Sequence, residues 1–143
     1  MNIRELMPAD YDEVIALWRA SEGIVLREVD ERAAIERYLA RNAGLSYVAC
    51  DGDRIVGAVL CGTDGRRGYL QHLAVASTHR RRGIGRRLVV CALASLVARG
   101  IMKCHLMVRP DNADARAFWK AAGWEERGDV LLMSYNSGDR EDA

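Results

Sequence analysis

Arg80-Arg81-Arg82-Gly83-Ile84-Gly85 puts three guanidinium groups and two glycines into one turn. An apolar, strand-like segment precedes it and a long helix-like one follows. A helix start leaves backbone N–H groups without partners and carries about half a positive charge. Glycine lets an anion approach that backbone closely and accepts positive φ. Arginines beside such amides suit a phosphate or pyrophosphate. Taken alone, the same residues also describe a solvated charged turn, so the flanks must decide. Upstream, His72 is a candidate proton carrier in the right pH range, although a lone histidine in an apolar strand is more often structural. Tyr69 is a poor base, because a phenol ordinarily titrates near 10.

The whole chain bounds what such a turn can serve. At 143 residues it reads as one domain, 1–143, with a polar tail from about residue 136. Half of it is hydrophobic and 29% is charged, as in ordinary globular proteins. The net charge of +1 gives no general reason for nucleic acid or membrane as a partner. Basic character is local, at Arg80, Arg81, Arg82, Arg86 and Arg87. Cys50, Cys61, Cys91 and Cys104 form no CxxC pair and sit in apolar surroundings, which predicts core thiols in a reducing compartment. His72, His79 and His105 show no ligand spacing with them, so no metal is expected. Arg4, Glu5 and Asp10 stand where a signal peptide would be apolar, and no run approaches membrane-spanning length. A cytoplasmic location is the expectation. Oligomeric state is not legible, and a homodimer is compatible with the sequence.

Several elements must position the turn. Asn2 to Leu6 reads as a strand. Pro8 suits a helix start, with Asp10 and Glu13 as a capping box and an apolar face of Val14, Ile15, Leu17 and Trp18. Glu22 to Asp30 is irregular, and Asp30 is placed to cap a second helix that ends near Gly44. Leu45 to Cys50, Arg54 to Thr63 and Tyr69 to Val75 read as strands joined by the turns Asp51-Gly52-Asp53 and Asp64 to Gly68. Strict alternation along the third puts Tyr69, Gln71, Leu73 and Val75 on one face and Leu70, His72 and Ala74 on the other. A long helix runs from about Gly83 to Arg99, with Ile84, Leu88, Ala92 and Leu96 in its stripe. Lys103 to Val108 reads as a strand. A helix capped by Asp111 or Asn112 runs to about Ala122. Trp124 to Tyr135 reads as a final strand bent near Gly128, and the tail as frayed. This order makes an α/β fold, a mixed sheet with helices on both faces. Its phosphate-type turn sits at a strand's carboxyl end, where ligands of open α/β sheets bind. Trp18, Phe118 and Trp124 read as packed side chains, and His105 as structural.

Three pieces in this order resemble the GNAT N-acetyltransferase superfamily over about residues 2 to 135. Leu73-Ala74-Val75 is similar to the end of the family's fourth strand. Arg80 to Gly85 matches Q/R-x-x-G-x-G/A. Asn112-Ala113-Asp114-Ala115-Arg116-Ala117-Phe118-Trp119, then Gly123-Trp124, resembles the late motif N-x-x-A-x-x-F-Y, then G-F. The resemblance implies a mostly antiparallel sheet splayed beside the fourth strand. It also implies acetyl-CoA as acetyl donor and an amine as acceptor. Backbone amides from Arg81 through Gly83, Ile84 and Gly85 to Arg86 would hold the pyrophosphate, with charge from Arg80, Arg81 and Arg82. The main chain at Leu73, Ala74 and Val75 would pair with the pantetheine arm as an added strand does, and Asn112 would bond that arm or a water near it. Glu22, Glu28 and Asp30 lie in the region that lines the family's acceptor site.

The chain departs from the family where chemistry matters most. Trp119, which its place in the late motif puts on the cofactor side, stands where relatives often carry a tyrosine assigned as the acid for the leaving thiolate, and indole N–H is no acid at neutral pH. The thiolate then leaves with help from water or a hydrogen bond, or another group such as Tyr69 or His72 acts, or activity is weak or lost. Tyr69 matches a position that holds a glutamate base in some relatives. The leading expectation is an N-acetyltransferase working by direct attack in a ternary complex. The alternative is a non-catalytic acyl-CoA-binding or sensing module.

Overall fold

The computed structural model describes all 143 residues. Its strands are β1 (Asn2–Glu5), β2 (Tyr47–Asp51), β3 (Arg54–Thr63), β4 (Gly68–Val75) and β5 (Cys104–His105). Its helices are α1 (Tyr11–Arg19), α2 (Arg32–Arg41), α3 (Ile84–Ala98) and α4 (Ala113–Ala121). Single 3-10 turns at Pro8–Asp10, Glu28–Asp30 and Ser77–His79 precede α1, α2 and α3. The sheet runs β1-β2-β3-β4-β5, antiparallel except for the parallel β4–β5 pair. No helix is long and apolar enough to cross a membrane.

The sheet divides the core in two. On one face Val14 and Trp18 of α1 and Ile35 and Leu39 of α2 pack on Val48, Ala58 and Leu60. On the other, Ile84, Leu88, Ala92 and Leu96 of α3 pack on Val56, Val59 and Leu70. β3 is buried from Ile55 to Gly62, which accounts for its near-continuous apolar run. Trp18 is fully buried, as expected of a core residue. All four cysteines are free; Cys50 and Cys61 are buried, and Cys91 and Cys104 only half-buried. Burial pushes the Cys61 thiol up to about 12 and that of Cys104 to about 11, so both are protonated at neutral pH.

Several local expectations are corrected. Asp10 and Glu13 form no capping box on α1. Arg4 grips the Asp10 carboxylate (2.8 Å), which also accepts from Met7 N, while Glu13 accepts from Ile55 N on β3. Asp30 does not cap α2; Glu31 occupies that position. The region from Lys103 to Val108 contributes only Cys104 and His105 to the sheet. Trp124 to Tyr135 forms no strand. β5 is too short to offer a ladder; the bend expected near Gly128 does form, at Asp129, where Arg127 pairs with Asp129 (2.8 Å). Leu131 and Tyr135 are consequently 90% and 92% exposed. The tail is tied down where fraying was expected. Arg140 pairs with Glu31 (2.6 Å) and Glu28 (3.7 Å), and Glu28 N donates to the Asp142 carbonyl.

Candidate active site

The site is built around a break in β4. β4 pairs with β5 only at Gly68 and Tyr69, so its backbone from Leu70 onward has no strand partner on that side. This is the splay beside the fourth strand. Towards β3, Gln71 faces Leu60 and Ala74 faces Ala58: three steps on β4 against two on β3. The extra residue is a bulge at His72–Leu73, and His72 has φ +54°. A β-carbon at positive φ costs roughly 1–2 kcal/mol. The bulge overturns the strict alternation expected for Tyr69 to Val75. Leu70 packs with the α3-side core and Ala74, an even number of residues later, with the α1-side core.

Beyond the bulge lies a cavity of about 450 Å³. Its wall is Leu73, Ala74 and Val75, and its end is Arg80, Arg81, Gly83, Ile84, Gly85 and Arg86. Gly83 precedes the first turn of α3 with φ +75°, a conformation that favours glycine. No acidic residue occupies that turn and no side chain caps it, so its free N–H groups point at nothing in the protein. Arg80 Nε reaches back to the Val75 carbonyl at 3.4 Å, and Arg81 itself takes positive φ. A β-carbon on Gly85 would sit 3.5 Å from the Phe118 ring, so the floor there is closely packed. These features fit a phosphate-ended ligand with an extended arm. Arg82 does not line this cavity. Asn112 does not either: it caps α4 by accepting from Ala115 N.

The candidate acids and bases separate. His72 Nε2 lies 2.9 Å from Asp30 Oδ1, and the His72 side chain is 21% exposed. Asp30 is buried, with its other oxygen accepting from Arg27 N, so neither oxygen is turned to an acceptor amine. Glu28 is engaged with Arg140; Glu22 alone of the three acids lines the cavity. Tyr69 lies against His105, with ring centres 5.9 Å apart and planes tilted by 46°. His105 is half-buried and faces a second cavity of about 780 Å³ that opens where the final strand was expected.

Trp119 lines both cavities and forms the partition between them. Phe118 and Trp124 hold it edge-on at 5.0 and 5.1 Å. Phe118, read from sequence as core, thus lines the site. His79 is a site residue that the sequence did not single out. It is buried against the cavity and bridges Thr78 Oγ1 and Asp51, holding the Asp51 carboxyl below its usual range. Its only sequence signal is its place immediately before Arg80.

Comparison with known proteins agrees with this geometry. A curated acetyltransferase of Sodalis glossinidius is 36% identical over 93% of each chain. The PaiA N-acetyltransferase of Thermoplasma acidophilum, solved in complex with coenzyme A, has a TM-score of 0.75 at 20% identity, covering 84% of this chain and 86% of that one. An aminoglycoside 6'-N-acetyltransferase of Acinetobacter haemolyticus has a TM-score of 0.76 at 18% identity, covering 96% and 100%. The acetyltransferase (GNAT) family model matches residues 11–124. With a splayed β4, a glycine-opened cationic α3 and a match over most of its length, the chain belongs to the GNAT acetyltransferase family.

Proposed function

We propose that the chain transfers an acetyl group from acetyl-CoA to a primary amine of a small molecule, amino acid or protein, with both substrates bound together. One observation carries this reading: unpaired β4 backbone at Leu73 to Val75 runs directly into the cationic start of α3 along one cavity. The α3 amides with Arg80, Arg81 and Arg86 would hold the pyrophosphate, and the β4 backbone the pantetheine arm. When bound, acetyl-CoA supplies an activated acyl group. The chain's own work is to place an amine beside it, accept the amine's proton and exclude water. His72 is favoured as base over Tyr69, because it is partly exposed at the bulge next to Leu73 and has a carboxylate partner. The amine approaches between β4 and the Glu22–Asp30 segment, where Glu22 favours a cationic acceptor. Four free cysteines fit a reducing compartment, the cytoplasm.

Trp119 supports a second reading, an acyl-CoA-binding module without turnover, because the partition carries no ionisable group. An amine panel with acetyl-CoA, read by thiol release and by mass of the product, separates the two. Transfer predicts thiol release that depends on a particular amine. Tight CoA binding with no amine-dependent release favours the binding module.

A further inference from the structure

We infer that Asp30 is a positioning residue that sets the tautomer of His72, a reading that rests on acetyl transfer with His72 as base. Asp30 was expected to cap a helix or meet the acceptor amine. It lies 42 residues from His72 in sequence, and the bulge and the turn Glu28–Asp30 bring the two together at 2.9 Å. Both partners are held. Asp30 Oδ2 accepts from Arg27 N at 3.0 Å, and its carbonyl accepts from Tyr11 Oη at 2.7 Å. The His72 ring rests on buried Trp18, with ring centres 5.0 Å apart and planes tilted by 59°. The positive φ of His72 aims the ring at Asp30, since an unbulged strand would continue the simple alternation.

The chemistry follows from which nitrogen is held. A carboxylate only accepts, so in the neutral ring Nε2 carries the hydrogen and Nδ1 keeps its lone pair. No protein group bonds Nδ1. The amine nitrogen attacks the thioester carbon, the C–N bond forms and the C–S bond breaks. The sulfur leaves with that bond's electron pair. Nδ1 takes the proton lost from nitrogen, directly or through one water, and the proton passes on to the sulfur through solvent. Asp30 touches no substrate. It keeps Nδ1 free and fixes the ring's orientation.

Asp30→Asn tests this, because an amide has one accepting oxygen for two donors. If that oxygen goes to Arg27 N, the amide N–H₂ faces Nε2 and drives the hydrogen onto Nδ1. In protein labelled with ¹⁵N-histidine, the His72 ring signal is the one lost in His72→Gln. We expect it to show the Nε2–H form in the native chain and to move toward the Nδ1–H form in Asp30→Asn. The variant's kcat should fall by about 10²–10⁴-fold with acetyl-CoA affinity unchanged. An Nδ1–H ring in the native chain would overturn the proposal without any substitution, so misfolding of the variant leaves it open to refutation. Native turnover in Asp30→Asn would also overturn it. Full turnover in His72→Gln would instead remove the base assignment, and transfer to no amine would remove the functional reading.

Discussion

From Leu73 to Arg86 the inner cavity is lined by main chain and by cations on flexible arms; His72, outside that lining, is a side chain held by other side chains. In the proposed reading the first region would recognise what any phosphate-ended, extended ligand presents, namely charge and unpaired amide geometry. The second depends on one ring, one buried carboxylate and one bulge. The first is suited to holding, where many weak contacts add. The second is suited to proton transfer, where position and protonation state of one atom decide the rate. Trp119 stands where the inner cavity meets the one beyond it.

Substitutions should sort by region. His72→Gln is expected to have the largest effect, a fall in kcat of about 10²–10⁴-fold with little change in acetyl-CoA affinity, seen in steady-state kinetics. Gly83→Asp should weaken acetyl-CoA by roughly 10²-fold, through like charge at the phosphate and through strain at positive φ. Gly83→Ala isolates the strain, and calorimetric titration of both variants checks the division. Trp119→Tyr should keep the fold and raise kcat by roughly tenfold, because it returns an acidic hydroxyl to the partition; a rate at or below the native one would show that the partition takes no part in thiolate departure.

Asp10→Asn lies outside both regions and should leave kinetics unchanged while lowering stability by about 1 kcal/mol at neutral pH. Arg4 and Met7 N hold the Asp10 carboxyl below its ordinary 3.8. The stabilisation is therefore complete above that ordinary value and is lost as pH falls through the lower folded one. Urea unfolding of both proteins at neutral and acidic pH should show the native advantage shrinking with acid.

The two regions also differ in how far they can be read from sequence. Gly83 and the clustered arginines make the proposed cofactor turn legible, because a positive φ before a helix favours glycine and clustered charge is a local property. The α3 stripe and the buried β3 are legible for the same reason, since periodicity is a local property. The His72–Asp30 pair is not, because it joins distant residues and depends on a bulge that no residue type signals. The bulge also reversed the faces expected along β4. The late motif was legible as a helix capped by Asp111 or Asn112; Asn112 is the cap, and that bond engages its side-chain oxygen within α4. The final strand failed because apolar content alone makes no strand without an edge to pair with, and β5 offers only two residues.

One comparison tests the division between holding and chemistry most directly: the acetyl-CoA dissociation constant and the single-turnover transfer rate, both measured on Gly83→Asp and on His72→Gln with the accepting amine. We expect Gly83→Asp to bind acetyl-CoA weakly yet transfer at near-native rate once saturated, and His72→Gln to bind normally yet transfer slowly. If His72→Gln transferred at the native rate, or lost acetyl-CoA affinity as severely as Gly83→Asp, β4 would not divide the site in this way.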